Sequence, residues 1–123
     1  MSASKVKRSN EAEVLAKALL NASSELSLKQ TELAKALGVD LSTINKLKSS
    51  CSLDPSSKKG EIALALVRIA SSLHILTNGD REWMKRFMRS ENNGTRGIPA
   101  EQISTISGLK TVLRYVDAMR GKV

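Results

Sequence analysis

Apolar residues recur at steps of three and four along almost the whole chain, and clusters of hydroxyl residues, glycine and proline interrupt them. Val14, Leu15, Ala18 and Leu19 predict a first amphipathic helix over about residues 11–24. Ser27 precedes LKQTELAKAL, a second helix with Leu33, Ala34 and Leu37 on one side. Asp40 precedes LSTINKLKSS, a third helix with Leu41, Ile44 and Leu47 inward, and a carboxylate there can accept the unpaired N–H groups of the first turn. Residues 49–60 are a serine-rich loop. Beyond it Ile62, Leu66, Ile69, Leu73 and Leu76 alternate steps of four and three, a continuous stripe read as core in preference to a dimer seam. Asp80 can cap a helix carrying Trp83, Met84, Phe87 and Met88, with Trp83 expected to fill the core between the last helices. Pro99 suits a first helical turn. Ser107 can cap a last helix with Leu109, Val112, Leu113, Val116 and Met119 on one face, ending near Gly121. No strand pattern competes, so the expected class is all-α.

The corner between the second and third helices is the most informative stretch. Gly38 falls at the turn, where a left-handed backbone is easy only for glycine. Ala34 is small enough for the third helix to approach, Val39 plugs the corner, and Ile44 with Leu47 pin the third helix from beneath. That helix then stands out with Ser42, Thr43, Asn45, Lys46 and Lys48 on its free side. A helix of this width fits the DNA major groove, where amides and hydroxyls meet base edges and lysines meet phosphates. Asn45 has the geometry for a bidentate contact with adenine.

Charge strengthens this reading. The chain of 123 residues has 20 Lys plus Arg against 12 Asp plus Glu, a formal net charge of +8, which suits nucleic acid, an anionic membrane surface or an acidic protein. One Trp, one Tyr and one Phe are too few for a surface that stacks unpaired bases, so a duplex is the expected nucleic acid. The ten basic and six acidic residues from position 61 onward net +4, so the positive charge is spread over both halves. No apolar run approaches the roughly 20 residues of a membrane span. Residues 1–10 lack the apolar centre of a signal peptide and read as a flexible basic tail. Cys51 is the single cysteine, so an internal disulfide is excluded and a reducing cytoplasm is the expected compartment.

QTELAKALGVDLSTINKLKS resembles the helix-turn-helix of Xre-type, phage-repressor-like domains through Gln30, Ala34, Gly38, Val39, Ile44 and Leu47. The resemblance implies that Gln30, with Thr31 beside it, meets a phosphate and that the start of the third helix reads bases. Leu41 stands where the family often has a polar reader, which points to a thymine-methyl contact. DREWMKRFMRSENNGTRGIPAEQISTISGLKTVLRYVDAMRGKV resembles the C-terminal toxin-binding domain of MbcA/ParS/Xre antitoxins, on Trp83, Asn92, Gly97, Pro99, Thr105, Gly108, Val112 and Gly121. The implied organisation is a tail over 1–10, a helix-turn-helix domain over 11–60 and a toxin-binding domain over 61–123.

The resemblance implies an antitoxin that covers the active-site entrance of an NAD-targeting toxin of the RES or ParT type and represses its own operon. Toxin contacts then fall on Trp83, Arg114, Tyr115, Arg120, Gly121, Lys122 and Val123. Two-fold operators imply a homodimer, with half-sites about 34 Å apart. The alternative is a stand-alone dimeric Xre-family repressor whose second half only dimerises. Enzymatic and sensor functions lack their parts. The single histidine, His74, lies beside the apolar stripe and reads as structural, no metal-ligand spacing occurs, and no nucleophile elbow, phosphate loop or zincin motif is present. No catalytic residue, metal or cofactor is assigned.

Overall fold

The structure, a computed structural model, describes residues 3–121, with side chains from residue 10 onward. Seven helices follow one another among these residues: α1 (Ala3–Glu25), α2 (Gln30–Leu37), α3 (Leu41–Ser50), α4 (Lys58–Thr77), α5 (Arg81–Arg89), α6 (Pro99–Gln102) and α7 (Ile106–Gly121). The described residues form no strand beyond an isolated antiparallel bridge between Asn92 and Gly97. The chain is an all-α helix-turn-helix bundle followed by a smaller helical region.

α4 is the central strut, packed along α1 on one side and α7 on the other. Its stripe of Leu66, Ile69 and Leu73 is buried, and Ala63 and Ala70 let the neighbouring helices come close. Complete burial of each large aliphatic side chain contributes about 1.5–3 kcal/mol. Leu15 and Leu19 of α1, Leu33 and Leu37 of α2, Ile44 and Leu47 of α3, Met84 and Met88 of α5, and Val112 and Val116 of α7 join one continuous core. α4 has the length and mean hydropathy (1.4) of a membrane-crossing helix, contrary to the reading that no run qualifies. Core helices of water-soluble proteins share that composition, and α1 and α7 pack against this one, leaving Leu64 and Ile75 exposed.

The α2–α3 corner forms as expected except at Leu41, which was read as inward and is 45% exposed in the first turn of α3. Gly38 takes φ +71°, and the Val39 N–H donates to the Ala34 carbonyl at 2.9 Å, closing the end of α2. α2 begins at Gln30 and not behind a Ser27 cap, because Ser27 itself is left-handed with φ +55°. Glu32 caps the helix instead, its carboxylate accepting the Lys29 N–H at 2.8 Å.

Other expectations are corrected. α1 begins at Ala3, so helical backbone replaces the basic tail over residues 3–10; KVKRSNEAE contains good helix formers and neither glycine nor proline. Val14 is 66% exposed, because Ala12, Leu15, Ala16 and Leu19 turn the inward face away from it. Thr105, not Ser107, caps α7, its hydroxyl accepting the Gly108 N–H at 3.0 Å. α7 runs through Gly121, which does not take the positive φ expected of a helix-ending glycine. α4 begins at Lys58, two residues before position 60, where the two halves were expected to separate. The core role expected of Trp83 fails outright: the indole is 56% exposed.

Candidate functional site

Two faces carry candidate chemistry. The first is the outer side of α3. Ile44 and Leu47 are buried while Leu41, Ser42, Asn45, Lys46 and Lys48 are exposed and Thr43 is half-buried. Gln30 and Thr31 are exposed at the start of α2. The Asp40 carboxylate organises the first turn. Its Oδ1 accepts the Thr43 hydroxyl at 2.7 Å, the Thr43 N–H at 2.9 Å and the Ser42 hydroxyl at 2.9 Å. The Thr43 hydroxyl, then its N–H and the Ser42 hydroxyl, hold the Asp40 carboxyl down to about 2.

That cap narrows what the residues can do. Both hydroxyls donate to Asp40 in this structure, which leaves their oxygen lone pairs to accept from other groups. The Asn45 side chain makes no hydrogen bond among the described residues. Its amide is therefore free both to donate and to accept on the exposed face of α3. Lys46 and Lys48 supply cations beside it, and Leu41, 45% exposed, offers an apolar contact at the first turn.

The second face is a groove between α4, α5, the loop after α5, and α7. It encloses about 600 Å³. Trp83 and Phe87 of α5 form one wall, Tyr115 and Met119 of α7 another, and Leu73 and Leu76 of α4 contribute from a third side. All the aromatic residues of the chain meet here. Phe87 and Tyr115 lie nearly parallel, 10° apart with centroids separated by 6.1 Å. Met84 and Met88 turn the opposite side of α5 into the core, which leaves Trp83 and Phe87 on the groove.

The loop from Glu91 to Ile98 is held by local bonds. The Asn92 side chain accepts the Gly94 N–H at 2.7 Å and the Thr95 N–H at 3.1 Å, and the Gln102 amide donates to the Thr95 carbonyl at 2.6 Å. A Cβ on Gly94 would lie 2.1 Å from the Tyr115 ring, so glycine is what lets Tyr115 settle against the loop.

Of the residues assigned to toxin contact, Trp83 and Tyr115 share the groove, and Arg114, Arg120 and Gly121 are exposed along α7. Lys122 and Val123 lie outside the described residues. Phe87, Met119 and Arg86 also line the groove and were not among the expected toxin contacts. Their signal was present as matching i, i+4 pairs, Trp83 with Phe87 and Tyr115 with Met119. No cluster of metal-ligating side chains occurs among the described residues. His74 is exposed and sits 3.1 Å from the Glu25 carboxylate.

No curated protein matches the chain. Residues 6–68 match the family of the antitoxin Xre-like helix-turn-helix domain, and residues 72–122 match the antitoxin Xre/MbcA/ParS C-terminal toxin-binding domain. The first match contains the whole α2–α3 corner, the second contains every residue lining the aromatic groove, and together they place this chain in the Xre-type antitoxin family.

Proposed function

We propose that the chain neutralises a companion toxin of the RES or ParT type, which consumes NAD, and that it represses its own operon as a homodimer in the cytoplasm. The observation that carries the DNA half is the exposed row of Ser42, Asn45, Lys46 and Lys48 above the buried Ile44 and Leu47. Such a helix enters the major groove, Asn45 and Leu41 reading bases while Lys46, Lys48, Gln30 and Thr31 meet the backbone. The toxin half rests on the toxin-binding match over 72–122. In this reading the end of α7, with Arg114, Tyr115, Arg120 and Gly121 and the following Lys122 and Val123, covers the entrance to the toxin's NAD site.

Co-expression with the product of the adjoining gene tests both halves. The toxin alone is expected to deplete cellular NAD and the pair to preserve it, and the purified pair is expected to bind the operon's own promoter. NAD loss that the chain leaves unchanged would overturn the neutralising role. A promoter bound no better than unrelated DNA would overturn the repressor role.

A further inference from the structure

We infer that α5 adds a second phosphate contact to the DNA-binding surface: Arg81 and Lys85, together with Lys29 at the α1–α2 turn, hold the duplex backbone next to the phosphates that Gln30 and Thr31 meet. This rests on the DNA-reading role proposed for α3 and extends the surface to a helix outside the matched helix-turn-helix segment.

The first ground is placement. Arg81, Lys85 and Arg89 recur at four-residue steps and so lie along one side of α5. Both ends of that row are fixed to the α1–α2 turn. At one end the Arg81 guanidinium reaches the Ser24 hydroxyl at 3.5 Å, and at the other Arg89 holds Glu32 and the Ser27 carbonyl. Lys85 stands between these two attachments and is exposed. Lys29, also exposed, immediately precedes Gln30. α5 is thus laid against the end of α2 whose first residues are assigned to the DNA backbone.

The second ground is charge. Among the described residues no ion pair engages Lys29, Arg81 or Lys85. The acids at the turn are occupied, Glu32 by Arg89 and Glu25 by His74. Glu82 is the acid of α5, so three cations stand against one carboxylate. The Arg89 clamp also cancels the negative charge that Glu32 would otherwise present beside the backbone. A DNA duplex carries a negative charge about every 1.7 Å of its axis, so phosphates continue past the ones that Gln30 and Thr31 reach.

The third ground is composition, and it selects the partner. Ser24, Gln30 and Thr31 are the exposed neighbours of these cations along the turn, and none of the exposed large apolar residues lies between positions 24 and 31. Trp83 and Phe87 face the aromatic groove, on a different side of α5 from the Arg81–Lys85–Arg89 row. Cations, hydroxyls and an amide without an apolar anchor are what meets a sugar-phosphate backbone. A protein partner is held mainly by buried aromatic or aliphatic anchors, which this patch does not offer.

The test uses the full chain and the promoter of its own operon. Arg81→Gln with Lys85→Gln removes two cations from exposed positions. The double variant is expected to bind more weakly, by a similar factor on the promoter and on single-base variants of it, and to lower the slope of log affinity against log salt by about 1.8. Lys85→Arg keeps the charge and should keep the slope of the unaltered chain. The far-UV circular dichroism spectrum and the affinity for the product of the adjoining gene should not change. A folded double variant with an unchanged salt slope would overturn the assignment while leaving α3 as the DNA-reading helix. Lost affinity for the neighbouring gene's product, with promoter binding intact, would overturn it in favour of an acidic surface on that protein. An unaltered chain that binds no duplex would overturn the DNA-reading role, and this contact with it.

Discussion

Arg89 on α5 grips Glu32 on α2 with both arms of its guanidinium, at 2.5 Å to Oε2 and 2.6 Å to Oε1, and the same group also donates to the Ser27 carbonyl. Glu32 belongs to the matched helix-turn-helix segment and Arg89 to the matched toxin-binding segment, so this ion pair joins the two, as Arg68 with Asp117 also does. Partial burial works to raise the Glu32 carboxyl, but the hydrogen bonds from Arg89 and the Lys29 N–H outweigh it and hold the group below its ordinary range. Arg89→Ala strands a partly buried carboxylate and is expected to destabilise the chain by about 2 kcal/mol, measured by urea denaturation at neutral pH. Since the folded pKa of Glu32 is depressed, the stabilisation is present above its unfolded value near 4.5 and is lost as pH falls through the folded one. The gap between the unaltered chain and the variant should therefore close in acid.

Asp40→Asn tests the α3 cap. The carboxyl is held at about 2 against an unperturbed 3.8, so its contribution is present above about pH 4 and disappears as pH falls toward 2. The variant should melt earlier at pH 7 and lose most of that difference at pH 2. Equal melting temperatures at pH 7 would remove the cap from the account of α3.

Lys46→Ala with Lys48→Ala should weaken promoter binding and flatten its salt dependence. Two lost phosphate contacts reduce the slope of log affinity against log salt by about 1.8. An unchanged slope in a filter-binding or anisotropy titration would place these lysines away from the DNA backbone.

Trp83→Ser should cost less than about 1 kcal/mol of folding stability, since the indole is 56% exposed. Met84→Ala, one position along the same helix and fully buried, should cost about 2–5 kcal/mol. Chemical denaturation of the pair separates an exposed groove aromatic from a methionine that packs the core.

Gly94→Ala should destabilise by about 1–3 kcal/mol, because the new methyl meets the Tyr115 ring at 2.1 Å and the ring cannot retreat without leaving Phe87. In a Tyr115→Ala background the same change should be nearly silent. A double-mutant cycle with no coupling would show that Tyr115 does not press on the loop.

The α2–α3 corner was legible in the sequence because its determinants are local. Gly38 admits one turn geometry, Asp40 reaches only its own helix, and the spacing of Ile44 and Leu47 fixes which side faces out. Trp83 was misread because periodicity reports which residues share a face and not what covers that face. α5 carries two adjacent apolar stripes, Met84 with Met88 and Trp83 with Phe87, and the packing of α4 and α7 left only the second one open. The α7 cap was ambiguous for a different reason: Ser104, Thr105 and Ser107 all offer hydroxyls within one turn, and the chain path after α6 selected Thr105. The pairings of Gly94 with Tyr115 and of Glu32 with Arg89 join residues far apart in sequence, which no local pattern announces.

α4 has a consequence for how such a molecule can vary. The two matched family segments meet between residues 68 and 72, inside this unbroken helix and not in a linker. One residue inserted there would turn everything downstream by about 100° and advance it by about 1.5 Å. The angular phase between the DNA-reading helix and the aromatic cleft is thus written into the residue count of a single rod, and a graft that exchanges one end for another must preserve that count.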